Sequence, residues 1–215
     1  MALTLHMHPL ASFCQKALIA LYENGTPFEP HFVDLGNDAA TAQFKALWPI
    51  GRMPVLRDDA RDRTIAESSI IIEYLDQHYP SANRLIPADP DLALQVRFGD
   101  RFYDLYVHEP MQKIVTDRLR PEGGNDPYGV EQARALMQTA YGMIERDMET
   151  RTWAAGDAFT LADCAAAPAL FYANKVAPFG ETHPRIAAYF DRLMQRPSYA
   201  RTVREAEPYL KFFPQ

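Results

Sequence analysis

Two short stretches could together hold a small charged peptide: Gly51-Arg52-Met53-Pro54-Val55-Leu56, which offers backbone, and Glu67-Ser68 ahead of Ser69-Ile70-Ile71-Ile72-Glu73-Tyr74-Leu75, which offers a helix start. An X-Pro bond costs only about 0.5 to 1 kcal/mol to place in cis, and a proline directly before a Val-Leu strand cannot donate to a sheet ladder. A cis bond at Met53-Pro54 would turn the N–H and C=O of Met53 outward, ready to pair with an extended ligand. Further along, Ile71, Tyr74, Leu75 and His78 recur at i, i+3, i+4 and i+7, one face of a helix that stops at Pro80. Unpaired N–H groups and the positive end of the helix dipole then meet at Ser68, which suits a carboxylate, while Glu67 beside it suits an ammonium. Either element alone is common as ordinary structure, an edge proline or a capped surface helix. Their order and spacing are what point to a binding site.

The elements that must position these residues can be read on both sides. A strand near Leu3 to Met7 leads to a helix from Ser12 to Asn24, with Ser12 able to cap its start and Asn24-Gly25 then Pro27 to stop it. A strand near Phe28 to Val33, a less regular helix around Ala40 to Leu47 and a hairpin with arms Val55-Leu56 and Thr64-Ile65-Ala66 come next. The mixed-charge run Arg57 to Arg63 fits a solvated hairpin turn. Strands alternating with helices and ending in a hairpin predict a βαβαββα layer unit over residues 1–80. Residues 81–91 turn Pro- and Asp-rich, the composition of a linker.

From 92 to 215 only helical patterns occur, about 92–120, 128–150, 161–175, 185–195 and 198–207, with Pro110 expected to kink or break the first. Thr160 and Asp163 have the spacing of a capping box ahead of an almost wholly apolar helix, so Asp163 reads as structural.

Composition bounds the function. The 215 residues are 47% hydrophobic with a formal charge of -6, and no stretch clusters Lys and Arg, which argues against a nucleic-acid surface. No apolar run reaches the roughly 18 residues of a membrane span, and no basic n-region opens the chain, so a cytoplasmic protein is expected. Cys14 and Cys164 form no Cys-x-x-Cys pair and read as free thiols. His6 and His8 share one face of the first strand, a spacing that can bind metal, but no third ligand accompanies them and no metal is expected.

With the Arg52 to Pro54 and Glu67-Ser68 motifs in this order, the chain resembles the cytosolic glutathione transferases over nearly its whole length. The resemblance implies an α/β thioredoxin-like N-terminal domain, an all-α C-terminal bundle, a homodimer, and glutathione as co-substrate in detoxification. By that resemblance, Met53 with cis-Pro54 pairs with the cysteinyl backbone of glutathione, Glu67 and Ser68 hold its γ-glutamyl end, and Arg52 reaches its glycyl carboxylate.

The chemistry needs thiolate, because a thiol is a poor nucleophile. With a reference pKa near 8.5 about 3% is ionised at pH 7, and a depression of about two units raises that to about 75%. In Ser-type members the donor hydroxyl lies where the first strand hands over to the first helix, and Ser12 is the candidate here. Counting back from Ile19-Ala20-Leu21, however, the usual serine of several classes falls on Ala11, which motivates an alternative: a binding module without conjugating activity. Cys14 in the first helical turn is a third candidate, for thiol transfer or peroxidase chemistry. The electrophile is expected between the domains against Tyr103, Tyr106, Val107 and Met111, an apolar and aromatic wall. Asp100 and Asp104 on the same helix would reach the γ-glutamyl ammonium across a dimer interface.

Overall fold

The fold was described from a computed structural model, covering residues 3–82 and 84–214. Four strands, β1 (Leu3–Met7), β2 (Glu29–Phe32), β3 (Val55–Asp58) and β4 (Arg63–Ala66), form one mixed sheet in the order β2-β1-β3-β4. β1 pairs parallel with β2, through Thr4 opposite Glu29, and antiparallel with β3, while β3 and β4 form the predicted hairpin. Helices α1 (Ser12–Asn24), α2 (Asp38–Leu47) and α3 (Ser68–His78) complete this half. The other half runs α4 (Pro90–Phe102), a π-helical turn (Tyr103–His108), α5 (Glu109–Asp117), α6 (Pro127–Asp147), α7 (Leu161–Val176), α8 (Pro184–Gln195), α9 (Pro197–Ala206) and a 3-10 turn (Glu207–Phe212).

Helix α1 explains how the halves join. Gly25 closes it at φ +62°, a left-handed conformation that glycine adopts without a Cβ penalty, and its N–H returns to the last turn. Every residue from Cys14 to Leu21 is buried. Leu18 and Leu21 pack with Leu5, Leu56 and Leu75 of the sheet half, whereas Ile19 and Ala20 join the core formed with the helical half. The polar residues trapped between find partners: Gln15 Nε2 donates to the Pro9 carbonyl at 2.9 Å, and Lys16 meets carboxylates on α4 and beyond it.

At the centre of the helical half lies α7. Thr160 N–H donates to the Asp163 carboxylate at 2.8 Å, which also accepts from Ala154 N–H at 2.8 Å and from the Tyr189 hydroxyl at 2.7 Å. Asp163 is therefore structural, as its spacing implied. Gly99 lets α4 approach α7 closely, since a Cβ there would lie 2.8 Å from that of Ala162.

Two local expectations are corrected. Ser12 does not cap α1: Ala11 occupies that position without a side-chain bond, and Ser12 is the first helical residue. The break expected at Pro110 in the 92–120 helix falls one turn earlier, where a wide π turn separates two α-helical segments and ends just ahead of Pro110. Proline removes one backbone donor and crowds the preceding turn, and a π turn is one way a helix absorbs such a mismatch.

Candidate active site

The two motifs meet on one open cleft of about 760 Å³. The Met53-Pro54 peptide is cis and directly precedes β3, and Arg52, Met53 and Pro54 all line the cleft. Beside them, Glu67 carries the backbone from β4 into α3 at φ +68° and ψ 121°, a conformation unfavourable for a side chain with a Cβ. No side chain caps α3 and no acidic residue occupies its first turn, so its first N–H groups are left for a ligand. Glu67, Ser68, Ser69 and Ile70 face this space, with Ser68 buried. Backbone on one side and a bare helix start on the other make a site for an extended, zwitterionic peptide.

Phe13, from the first turn of α1, closes the inner end, and the far wall is the π turn with α5: Leu105, His108, Glu109, Gln112, Lys113 and Thr116. Here the aromatic wall read from the sequence is corrected. Tyr103, Val107 and Met111 point into the helical core at 4%, 0% and 2% exposure, and Tyr106 is exposed but outside the cleft. Tyr103, Val107 and Met111 recur four apart and so share one face, and that face packs on α7 in the helical core, which leaves Leu105, His108 and Gln112 to the cleft.

Asp100 and Asp104 do line the cleft, but each is already paired within the same chain. Lys16, 1% exposed, places Nζ 2.6 Å from Asp100 Oδ1, 2.8 Å from Asp104 Oδ2 and 2.9 Å from Ser69 Oγ, and Ser69 in turn donates to Asp100 Oδ2 at 2.8 Å. Burial pushes the Asp104 carboxyl up while Lys16 holds it down.

The nucleophile candidates part company. Cys14 is wholly buried, and burial pushes its thiol up to about 12, so it carries no thiolate at neutral pH and its thiol-transfer role is corrected. Ser12 does not line the main cleft. It faces a narrow crevice behind Phe13, shared with Lys16, Asp104 and His108, and its Oγ lies 2.5 Å from His108 Nε2. His108 is 5% exposed, packs its ring against Phe13 at 4.3 Å between centroids, and borders both the crevice and the cleft. Burial, with Lys16 nearby, holds its pKa down at about 4, so the imidazole is neutral.

Sequence reasoning passed over His108, although Asp100, Asp104 and His108 recur at i, i+4 and i+8 as a polar ridge in an otherwise apolar stretch. Of the two histidines at the first strand, His6 packs tilted against His31 at 4.6 Å between centroids, and His8, just past the strand, meets Tyr209 edge-on at 4.8 Å. No group of three or more His, Cys, Asp or Glu that could hold a metal occurs among the described residues. Nor is any described helix long and apolar enough to cross a membrane.

Comparison with known proteins agrees with this geometry. Family profiles for the glutathione S-transferase N-terminal and C-terminal domains match residues 5–83 and 105–197. A glutathione S-transferase-like protein of Fusarium is 30% identical over 74% of this chain and 71% of its own. A stringent starvation protein A homolog of Histophilus somni is 27% identical over 96% and 92% of the two chains. A glutathione S-transferase structure from Methylobacillus flagellatus, solved with glutathione bound, superposes with a TM-score of 0.84 at 25% identity, covering 93% of this chain and 98% of that one. The chain belongs to the glutathione S-transferase family.

Proposed function

We propose that the protein binds glutathione and promotes attack of its thiolate on a small electrophile, the thiol proton having gone to water: the S–C bond forms as a leaving group departs with its electron pair, as from an aryl halide, or as the C=C π pair of an enone moves to the carbonyl and the resulting enolate takes a proton from water. One observation carries this reading, the convergence of cis-Pro54 and the uncapped start of α3 on a single cleft. In it, Met53 pairs with the cysteinyl backbone, Glu67 and Ser68 hold the γ-glutamyl ammonium and carboxylate, and Arg52 meets the glycyl carboxylate. The sulfur then lies towards Phe13, with the Ser12–His108 pair behind it.

The electrophile faces Leu105 and Phe13 on its apolar side and Gln112 and Thr116 on the other, which favours a partly polar molecule over a purely apolar one. We further assign a homodimer and a cytoplasmic setting. Support for the dimer comes from the ridge of Leu94 and Phe98 on α4, both exposed and outside the cleft.

A second reading has its own support: Ala11 stands at the strand-to-helix handover, and the Ser12 hydroxyl is turned out of the cleft. On that reading glutathione binds but no conjugation occurs. Calorimetric titration with glutathione, an ultraviolet difference spectrum for bound thiolate and turnover of a panel of aryl halides and enones separate the two. Binding with a thiolate band and turnover is the expected result. Binding without either would favour the second reading, and absence of binding would sink the glutathione assignment.

A further inference from the structure

Four observations converge on His108. It lines the cleft beside Phe13, against whose ring its own ring packs. Its Nε2 is taken by Ser12 Oγ at 2.5 Å. The residue is only 5% exposed yet borders the cleft, and with Nε2 engaged Nδ1 is the ring nitrogen left for a ligand there. Ser12, in contrast, reaches only the crevice behind. Either group can donate in this pair; with the Ser12 hydroxyl as the donor the ring proton sits on Nδ1, because a neutral imidazole carries one proton and the nitrogen accepting a bond cannot hold it.

We propose that His108 is the catalytic donor to the glutathione sulfur, its Nδ1–H stabilising the thiolate, and that Ser12 is a positioning residue that acts through Nε2. On binding, the thiol proton leaves to water. The sulfur keeps the electron pair and accepts the Nδ1–H bond, and His108 retains its proton throughout, so no proton is stored on the enzyme. A group whose pKa is held near 4 is a poor base for a thiol but a permanent neutral donor, which is the role required. The proposal rests on the glutathione reading above. It explains how a chain with Ala11 at the handover could still activate a thiol, through a group 96 residues away from Ser12.

The test uses the full-length protein and four forms: wild type, His108→Phe, His108→Asn and Ser12→Ala. Asn presents an N–H near the position of Nδ1, and Phe keeps the packing against Phe13 with no donor. For each, calorimetry with glutathione reads binding, and titration of the ultraviolet thiolate band reads the pKa of the bound thiol. All four should bind glutathione within a few-fold. His108→Phe should raise the bound thiol pKa towards that of free glutathione and cut kcat/KM about 10- to 100-fold, the range for a hydrogen bond to a charged group. His108→Asn should recover most of the shift, and Ser12→Ala should lose part of it. Nitrogen-15 spectra of the resting wild type should show the Nδ1–H tautomer.

An unchanged thiol pKa in His108→Phe, or the Nε2–H tautomer, would overturn the proposal while leaving glutathione binding intact. Failure of the wild type to bind glutathione would remove the underlying reading as well.

Discussion

Glu67 illustrates how much of the site is decided at single positions. Its φ of +68° is unfavourable for any residue with a Cβ, by roughly 1 to 3 kcal/mol. Replacing it by glycine should therefore stabilise the fold by about 1 kcal/mol, after allowing for the entropy that glycine adds to the unfolded chain. The same change removes the carboxylate expected to meet the ligand ammonium, so glutathione affinity should fall. Urea denaturation and calorimetry on one sample test both halves, and a less stable Glu67→Gly protein would contradict the strain argument.

His108 gives a pH prediction with a definite sign. Its pKa is depressed to about 4 in the fold against about 6.5 unfolded, so below 6.5 the unfolded chain binds the extra proton. Its contribution is full above pH 6.5 and is lost as pH falls to about 4, on the order of 3 kcal/mol in all. Comparing urea midpoints of wild type and His108→Asn across pH 4 to 7 should show a shallower slope in the variant. Equal slopes would mean that His108 is not held neutral. The Arg52-to-Ser68 motifs were legible because each acts through local backbone, whereas the direction of the Ser12 hydroxyl depends on a residue 96 positions away.

At the scale of elements, the sequence conveyed the strands, the hairpin and most helix ends, since apolar periodicity and Gly or Pro punctuation are local signals. It misplaced the wall built from Tyr103, Val107 and Met111, because an apolar stripe does not say whether it meets a ligand or another helix, and here it meets α7. Lys16 was equally silent: inside an apolar stripe it resembles a side chain whose tip reaches water, and only the arrival of α4 makes it a buried cation. Lys16→Met should cost about 3 to 5 kcal/mol, the usual penalty for stranding buried charges. The Asp104 carboxyl is already pushed up by burial, so the folded variant takes up a proton more readily than the unfolded chain, and stability should be partly regained as pH falls and lost again as it rises. A Lys16→Met protein as stable as wild type at pH 7 would show that the ion cluster contributes nothing net.

For the molecule as a whole, the exposed ridge of Leu94, at 67% exposure, and Phe98, at 62%, is the surface a second copy would cover. Phe98→Glu should yield monomers by sedimentation velocity at concentrations where wild type is dimeric. A wild-type monomer, or a dimer unaffected by this change, would place the contact elsewhere or nowhere.

Helix α1 has a different consequence at this scale. Because its middle, Cys14 to Leu21, is buried on every side and its one ammonium is matched by two carboxylates four positions apart on the far half, neither half is an interchangeable part. Chimeras should obey a simple grammar, in which the sheet half accepts only those helical halves that bring the acidic pair with them. A lineage that swapped one side without the other would begin about 3 to 5 kcal/mol less stable, the penalty of stranding those buried charges.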